Sequence, residues 1–193
     1  MPDELEILPD NHLARPTGDK PCPIAAESHR LHRIVSQRGD LVYAAGPAAG
    51  KRLVWVTRAG ERSDATAPPR TYLPEPVLAP DGRRAIVTIG TGDHFLWLWA
   101  LDTGTLTPFV TGRDTQGPVW SPDGRKVAFP IYGKGIAIKD LESAADAELV
   151  WEGSDPGLAT LAWSPNSTTL AFSRGSAGGG QEIAALNLRD RQA

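Results

Sequence analysis

The sequence predicts an all-β protein assembled from repeated four-stranded antiparallel units. Two observations carry that prediction. A ten-residue turn-and-strand pattern recurs three times at nearly constant spacing. Glycine (20 residues) and proline (17 residues) are spread along the 193-residue chain as punctuation between short apolar runs, as expected of many strands joined by tight turns.

The first clear copy is Leu78-Ala79-Pro80-Asp81-Gly82-Arg83-Arg84-Ala85-Ile86-Val87. The second is Trp120-Ser121-Pro122-Asp123-Gly124-Arg125-Lys126-Val127-Ala128-Phe129. The third is Trp163-Ser164-Pro165-Asn166-Ser167-Thr168-Thr169-Leu170-Ala171-Phe172. Pro80 to Pro122 is 42 residues and Pro122 to Pro165 is 43, the length of one four-stranded propeller blade. In each copy a short apolar strand is stopped by proline, which has no N–H for a ladder. Asp-Gly then turns the chain, glycine accepting the positive φ that such turns need. In the third copy Asn166-Ser167 replaces Asp-Gly, and serine tolerates that conformation poorly. A looser or longer turn is expected there.

The rest of each period repeats as well. Third strands are expected at Phe95–Asp102, Gly135–Leu141 and Glu182–Leu188, and fourth strands at Leu106–Val110 and Glu148–Trp151. The final unit reaches Ala193 before a fourth strand. Upstream, Asp40–Ala44 reads as a second strand and Arg52–Arg62 as a third strand with its turn. The expected organisation is an irregular arm at 1–35, a partial blade at 36–68, blades at 69–111 and 112–152, and an incomplete blade at 153–193. Together these make a partial β-propeller of about three and a half blades.

The Ser-Pro-Asp-Gly turn before an apolar strand resembles the TolB-like, WD40-like propeller repeat, over roughly residues 36 to 191. The stretch Leu53-Val54-Trp55-Val56-Thr57-Arg58-Ala59-Gly60-Glu61 is similar to a blade of propellers attached to bacterial Ser/Thr protein kinases, and to the gating propeller of prolyl-oligopeptidase-type peptidases. The resemblance implies a protein- or peptide-binding module, part of a larger sensory or envelope-associated protein. The alternative is a hydrolase (esterase or peptidase), or an accessory propeller of a serine peptidase or kinase. Closed propellers carry four to eight blades. Three completions of this arc stay open: it belongs to a longer chain, two half-rings self-associate about a two-fold axis, or the N-terminal arm supplies an edge strand.

Composition narrows the partners. Lys+Arg 20 against Asp+Glu 23 gives a net charge of −3, without the basic stripe of a nucleic-acid binder. No apolar run approaches membrane-spanning length. Met1-Pro2-Asp3-Glu4 lacks the features of a signal peptide. The chain as written is therefore expected in the cytoplasm, or outside it if it is a fragment of a longer envelope protein. The single cysteine, Cys22, has no internal disulfide partner.

Catalytic readings find little support. No Gly-x-Ser-x-Gly elbow and no phosphate-binding Gly-Lys-Ser/Thr loop is present. Ser176 lies in a glycine-rich loop, and His94 follows Asp93 in another. They are the only candidates for a hydrolase pair, and each reads more simply as a surface-loop residue. His29-x-x-His32 with Cys22 or Glu27 matches no established zinc spacing, so neither a metal nor another cofactor is expected. The six tryptophans recur at strand positions and read as packing between blades.

Binding is expected on the face built by loops between second and third strands (Thr91–His94, Tyr132–Lys134, Gly175–Gln181) and between blades (Gly112–Gly117, Gly153–Gly157). Equivalent loops of a repeat converge on one surface. The candidate residues are Asp93, His94, Arg113, Asp114, Tyr132, Lys134, Asp155 and Arg174.

Overall fold

The computed structural model describes residues 34–35, 41–45, 52–57, 59–65, 67–73, 76–91, 93–115, 117–154, 158–176 and 179–191. They form four antiparallel sheets, each a meander of consecutive strands. The first holds β1 (Ile34–Val35), β2 (Leu41–Ala45), β3 (Arg52–Val56) and β4 (Arg62–Asp64). The second holds β5 (Val77–Leu78), β6 (Arg84–Ile89), β7 (Phe95–Ala100) and β8 (Leu106–Val110). The third holds β9 (Val119–Trp120), β10 (Lys126–Ile131), β11 (Gly135–Asp140) and β12 (Glu148–Glu152). The fourth holds β13 (Ala159–Trp163), β14 (Thr169–Gly175) and β15 (Gln181–Asn187). The sequence pattern reads Asp40–Ala44 as the second strand of a partial first unit. The structure adds β1 ahead of it, with Ile34 opposite Val42 and Val35 opposite Leu41, so this unit has four strands.

The sheets stack as blades, and the core lies between them. Leu53, Ala65 and Ala67 meet Ala85, Val87 and Trp99 at the first boundary. Ile86, Leu96, Phe109 and Val110 meet Trp120, Val127, Phe129 and Ile131 at the second. Ala128, Ile136 and Val150 meet Leu161, Leu170, Phe172 and Leu186 at the third. Successive residues of a strand point to opposite faces. Hence Val127 and Phe129 pack backward while Ala128 between them packs forward. This is why the second strands read as unbroken apolar runs rather than alternating ones. First strands of neighbouring blades touch one another, which sets them on the inside of the arc. Pro130 is tolerated in β10 because the ladder to β9 involves only Val127 and Ala128.

The repeated turn is held by its own side chains. The Ser121 amide donates to the Lys126 carbonyl at 2.8 Å and the Gly124 amide to the Ser121 carbonyl at 2.9 Å. The Ser121 hydroxyl donates to Asp123 Oδ1 at 2.6 Å and accepts from the Lys126 amide at 2.9 Å. The Ser121 hydroxyl and the Arg125 amide hold the Asp123 carboxyl below the usual carboxylate range. Where alanine replaces serine, at Ala79, Arg84 Nε instead donates to Asp81 Oδ2 at 3.0 Å.

The third turn is neither looser nor longer, contrary to the expectation from Asn166-Ser167. The Ser167 amide donates to the Ser164 carbonyl at 2.9 Å and the Ser164 amide to the Thr169 carbonyl at 2.9 Å, the pattern of the other two. Asn166 Oδ1 accepts from the Ser164 hydroxyl at 2.7 Å and from the Thr168 hydroxyl at 2.8 Å. With the turn fixed from both sides, Ser167 adopts φ +58°. The side-chain network outweighs the local preference of serine.

Candidate binding face

Antiparallel order decides which loops share a face. A chain running up one strand and down the next brings every second-to-third-strand loop and every blade-to-blade connection to the same end. The repeated turns lie at the other end. Asp93 and His94 sit before β7, Arg113 and Asp114 in the connection before β9, and Tyr132 and Lys134 between β10 and β11. These six residues, drawn from two blades and the connection between them, therefore open on one surface.

Asp114 organises the middle of that surface. Its Oδ1 accepts from the His94 amide at 3.0 Å and lies 2.9 Å from His94 Nδ1. The next amide, of Thr115, donates to the His94 carbonyl at 2.9 Å. On the other side, the Tyr132 amide donates to the Asp114 carbonyl at 3.1 Å, and Thr115 bridges to Ile131. The connection is thus tied to the blade it leaves and to the blade it enters. The preceding connection is built similarly: Tyr72 bridges to Ile89, and the Leu73 amide donates to the Thr88 carbonyl at 2.9 Å.

The loops themselves are tight. The Lys134 amide closes on the Ile131 carbonyl at 3.0 Å around Gly133 at φ +68°. Gly90 has no alternative, since a Cβ there would lie on the Asp93 carbonyl. Tyr132 is 43 % exposed, Asp93 and Lys134 are exposed, and His94, Arg113 and Asp114 are half-buried.

The remaining candidates lie elsewhere. Arg174 belongs to β14 rather than to a loop, and its Nε donates to Glu182 Oε1 across the ladder at 2.7 Å. Asp155 lies outside the described residues, as do Cys22, Glu27, His29 and His32. Ser176 opens the loop before β15, where its amide donates to the Gly180 carbonyl at 2.8 Å. His94 is on the second blade and Ser176 on the fourth, so the third blade stands between the hydrolase pair. Among the described residues no group of three or more His, Cys, Asp or Glu side chains could hold a metal ion, and no helix is long and apolar enough to cross a membrane.

Sequence reasoning missed Tyr72. It is 1 % exposed at the first boundary, and its hydroxyl donates to the Pro68 carbonyl at 2.5 Å. Burial pushes the phenol up to about 12. No repeat motif surrounds it, so nothing in the pattern marked it. The Thr88 and Thr115 hydroxyls are buried without a hydrogen-bond partner among the described residues.

The solved structures to which the chain is similar include TolB from Acinetobacter baumannii. That likeness has TM-score 0.61 at 17 % identity, over 78 % of this chain and 38 % of that one. A putative TolB from Agrobacterium tumefaciens follows, with TM-score 0.59 at 16 % identity, over 79 % of this chain and 64 % of that one. The fold is that of a TolB-type β-propeller. Two curated proteins match in sequence. The Tol-Pal system protein TolB of Anaeromyxobacter dehalogenans is 31 % identical over 90 residues, 46 % of this chain. Cell division cycle 20.1, cofactor of APC complex, of Arabidopsis thaliana is 32 % identical over 75 residues, 37 % of this chain. The matched segments span 21 % and 16 % of those relatives. No family model matches the chain.

Proposed function

We propose that this TolB-like propeller segment is a protein- or peptide-binding module, and that its partner docks on the face carrying Asp93, His94, Arg113, Asp114, Tyr132 and Lys134. One observation carries the reading. Asp114 locks the connecting segment to two blades, while Tyr132 and its charged neighbours project from the same surface. An exposed aromatic on a pre-organised scaffold is the usual anchor of a protein interface, because little conformational entropy is lost on binding. The curated relatives are named as a Tol-Pal system protein and as a cofactor of a complex, which agrees with a role in a protein assembly. On this reading the chain is the recognition part of a larger sensory or envelope-associated protein.

The test compares the two ends of the arc. A photo-cross-linking residue at Tyr132 should trap a partner polypeptide, and the double variant Tyr132→Ala/Lys134→Glu should lose it. The same probe at Arg125, on the opposite end, should trap far less. Equal capture from both ends would remove this face as the binding surface.

A further inference from the structure

One hydrogen bond recurs at the turn end of three blades. The leucine that follows each third strand donates its amide to a carbonyl of the repeated turn: Leu101 to Arg83, Leu141 to Arg125 and Leu188 to Thr168, each at 2.9 Å. These bonds align the three turn ends residue by residue. Beside them the second blade places Arg83 and Asp102. The third places Arg125 and Glu142, with Arg125 Nε 3.9 Å from Glu142 Oε1. Both blades put a base on the turn and an acid after the leucine.

The fourth blade inverts that charge pattern. Thr168 stands where the base stood, and Arg189 stands where the acid stood. Arg191 of the same turn is engaged by Glu148, but no ion pair holds Arg189 among the described residues. The backbone departs from the repeat at the same place. Ser167 replaces the glycine of the other two turns and holds φ +58°, a conformation that costs a residue with a Cβ. Strain kept at one site is a reason to ask what the site does.

These departures meet in an open cavity of about 560 Å³, lined by Ser167, Thr168, Asn187, Leu188 and Arg189. Its size falls within the range of small-molecule sites. Its polar chemistry is one-sided, since none of these lining residues is acidic. Asn187 Oδ1 accepts from the Arg189 amide at 2.9 Å, which leaves the donor Nδ2. The Thr168 hydroxyl donates to Asn166 Oδ1 at 2.8 Å and is spent there. The Ser167 hydroxyl, Asn187 Nδ2 and the Arg189 guanidinium remain as donors, and Leu188 adds an apolar contact. A guanidinium fork matches the paired oxygens of a carboxylate or a phosphate.

We propose that this cavity binds a small molecule carrying a phosphate or carboxylate group, with the anion held by Arg189, Ser167 and Asn187 and an apolar part against Leu188. The site lies at the end of the arc opposite Tyr132 and Lys134. Its failure would leave the reading of the loop face untouched.

The test titrates phenyl phosphate, benzoate and benzyl alcohol into the nitrogen-15-labelled full chain. At least one of the two anions should shift the amide resonances of Thr168, Leu188 and Arg189 saturably, and neutral benzyl alcohol should leave them in place. The tighter of the two anions names the group. Arg189→Leu should weaken binding by at least about tenfold, the loss of a charge-assisted contact. Arg189→Lys should weaken it less, because the charge stays while the fork is lost. Thr168→Arg/Arg189→Glu restores the base and acid of the third blade. It should abolish binding, and because both residues are exposed the melting temperature should match the parent. No saturable shift with either anion, an equal response to benzyl alcohol, or binding that survives Thr168→Arg/Arg189→Glu would overturn the proposal.

Discussion

The indole N–H of Trp120 donates to the Val77 carbonyl at 2.9 Å, from the first strand of the third blade to the first strand of the second. One period later the indole N–H of Trp163 reaches the Val119 carbonyl at 3.2 Å. Two successive blade boundaries thus share the same polar tie at their inner edge. In the second blade the position is Leu78, which has no donor. The first boundary uses Trp99 instead, packed against Trp55 with ring centroids 6.1 Å apart. The tryptophans serve packing between blades, as their strand positions suggest, but two of them also pair a backbone acceptor.

Replacing Trp120 with phenylalanine keeps an aromatic ring and removes the donor. The Val77 carbonyl then loses its partner in a crowded setting, a cost of about 1–3 kcal/mol. Trp163→Phe should cost less, since its bond is longer and its ring less buried. Equilibrium unfolding in urea measures both. Midpoints equal to the parent for both variants would mean that shape alone holds the blades.

Ser167 holds φ +58° in a turn where Gly82 and Gly124 hold φ +66° and +69°. Restoring glycine removes the clash of the serine Cβ with the backbone and keeps the hydrogen bonds of Asn166. Ser167→Gly is therefore expected to stabilise the chain by about 0.5–1 kcal/mol, the relief of left-handed strain less the added freedom of the unfolded state. The reverse change at the second copy, Gly124→Ala, should destabilise by a similar amount. Space is not the reason there, since the nearest atom to an added Cβ is Pro80 Cδ at 3.6 Å. Thermal melts of the two variants should move in opposite directions.

These residues show where the sequence was informative. Strand positions were legible because turn proline, glycine and the apolar run all point to the same boundaries; Leu106–Val110 emerges with the limits read from the sequence. The third turn was misread because its stability resides in side-chain hydrogen bonds among Ser164, Asn166 and Thr168, which local propensity does not register. The face was legible only as a set of loops. Nothing in Asp93-His94 or Arg113-Asp114 announces that one aspartate accepts from the histidine 20 residues earlier. Such a pair depends on the arrangement of blade and connection, which spacing alone does not reveal. Likewise Ile183 looks like any core isoleucine in the sequence, yet it is 83 % exposed.

Tyr72 sets an alkaline limit on stability. In the unfolded chain its phenol ionises near 10, and in the fold burial raises this to about 12. The folded state holds the proton more tightly, so the contribution of this group is complete below pH 10 and drains away as pH rises towards 12. Ionisation would also remove the proton donated to the Pro68 carbonyl. Tyr72→Phe should be less stable than the parent near neutrality, by about 1 kcal/mol for the lost hydrogen bond. The difference should shrink across that alkaline window. Urea unfolding repeated at several pH values tests this, and a difference that stays constant to pH 12 would contradict it.

Asp114 provides the decisive test of how the binding face is held. It touches its neighbours through one carboxylate oxygen and one backbone carbonyl, and only the first can be removed by substitution. Asp114→Ala should leave the blades folded, because the side chain contributes nothing to the apolar layers between them. It should free the His94 and Thr115 amides to open locally, speeding their hydrogen exchange by about fivefold if one net hydrogen bond of roughly 1 kcal/mol is lost. Asp114→Asn keeps an acceptor oxygen for the His94 amide and should restore most of the protection. If the face binds its partner as a pre-organised surface, Asp114→Ala should weaken capture at Tyr132 even though Tyr132 itself is intact. Faster exchange with undiminished capture would separate the two effects and show that rigidity of the His94 loop is not what the partner reads.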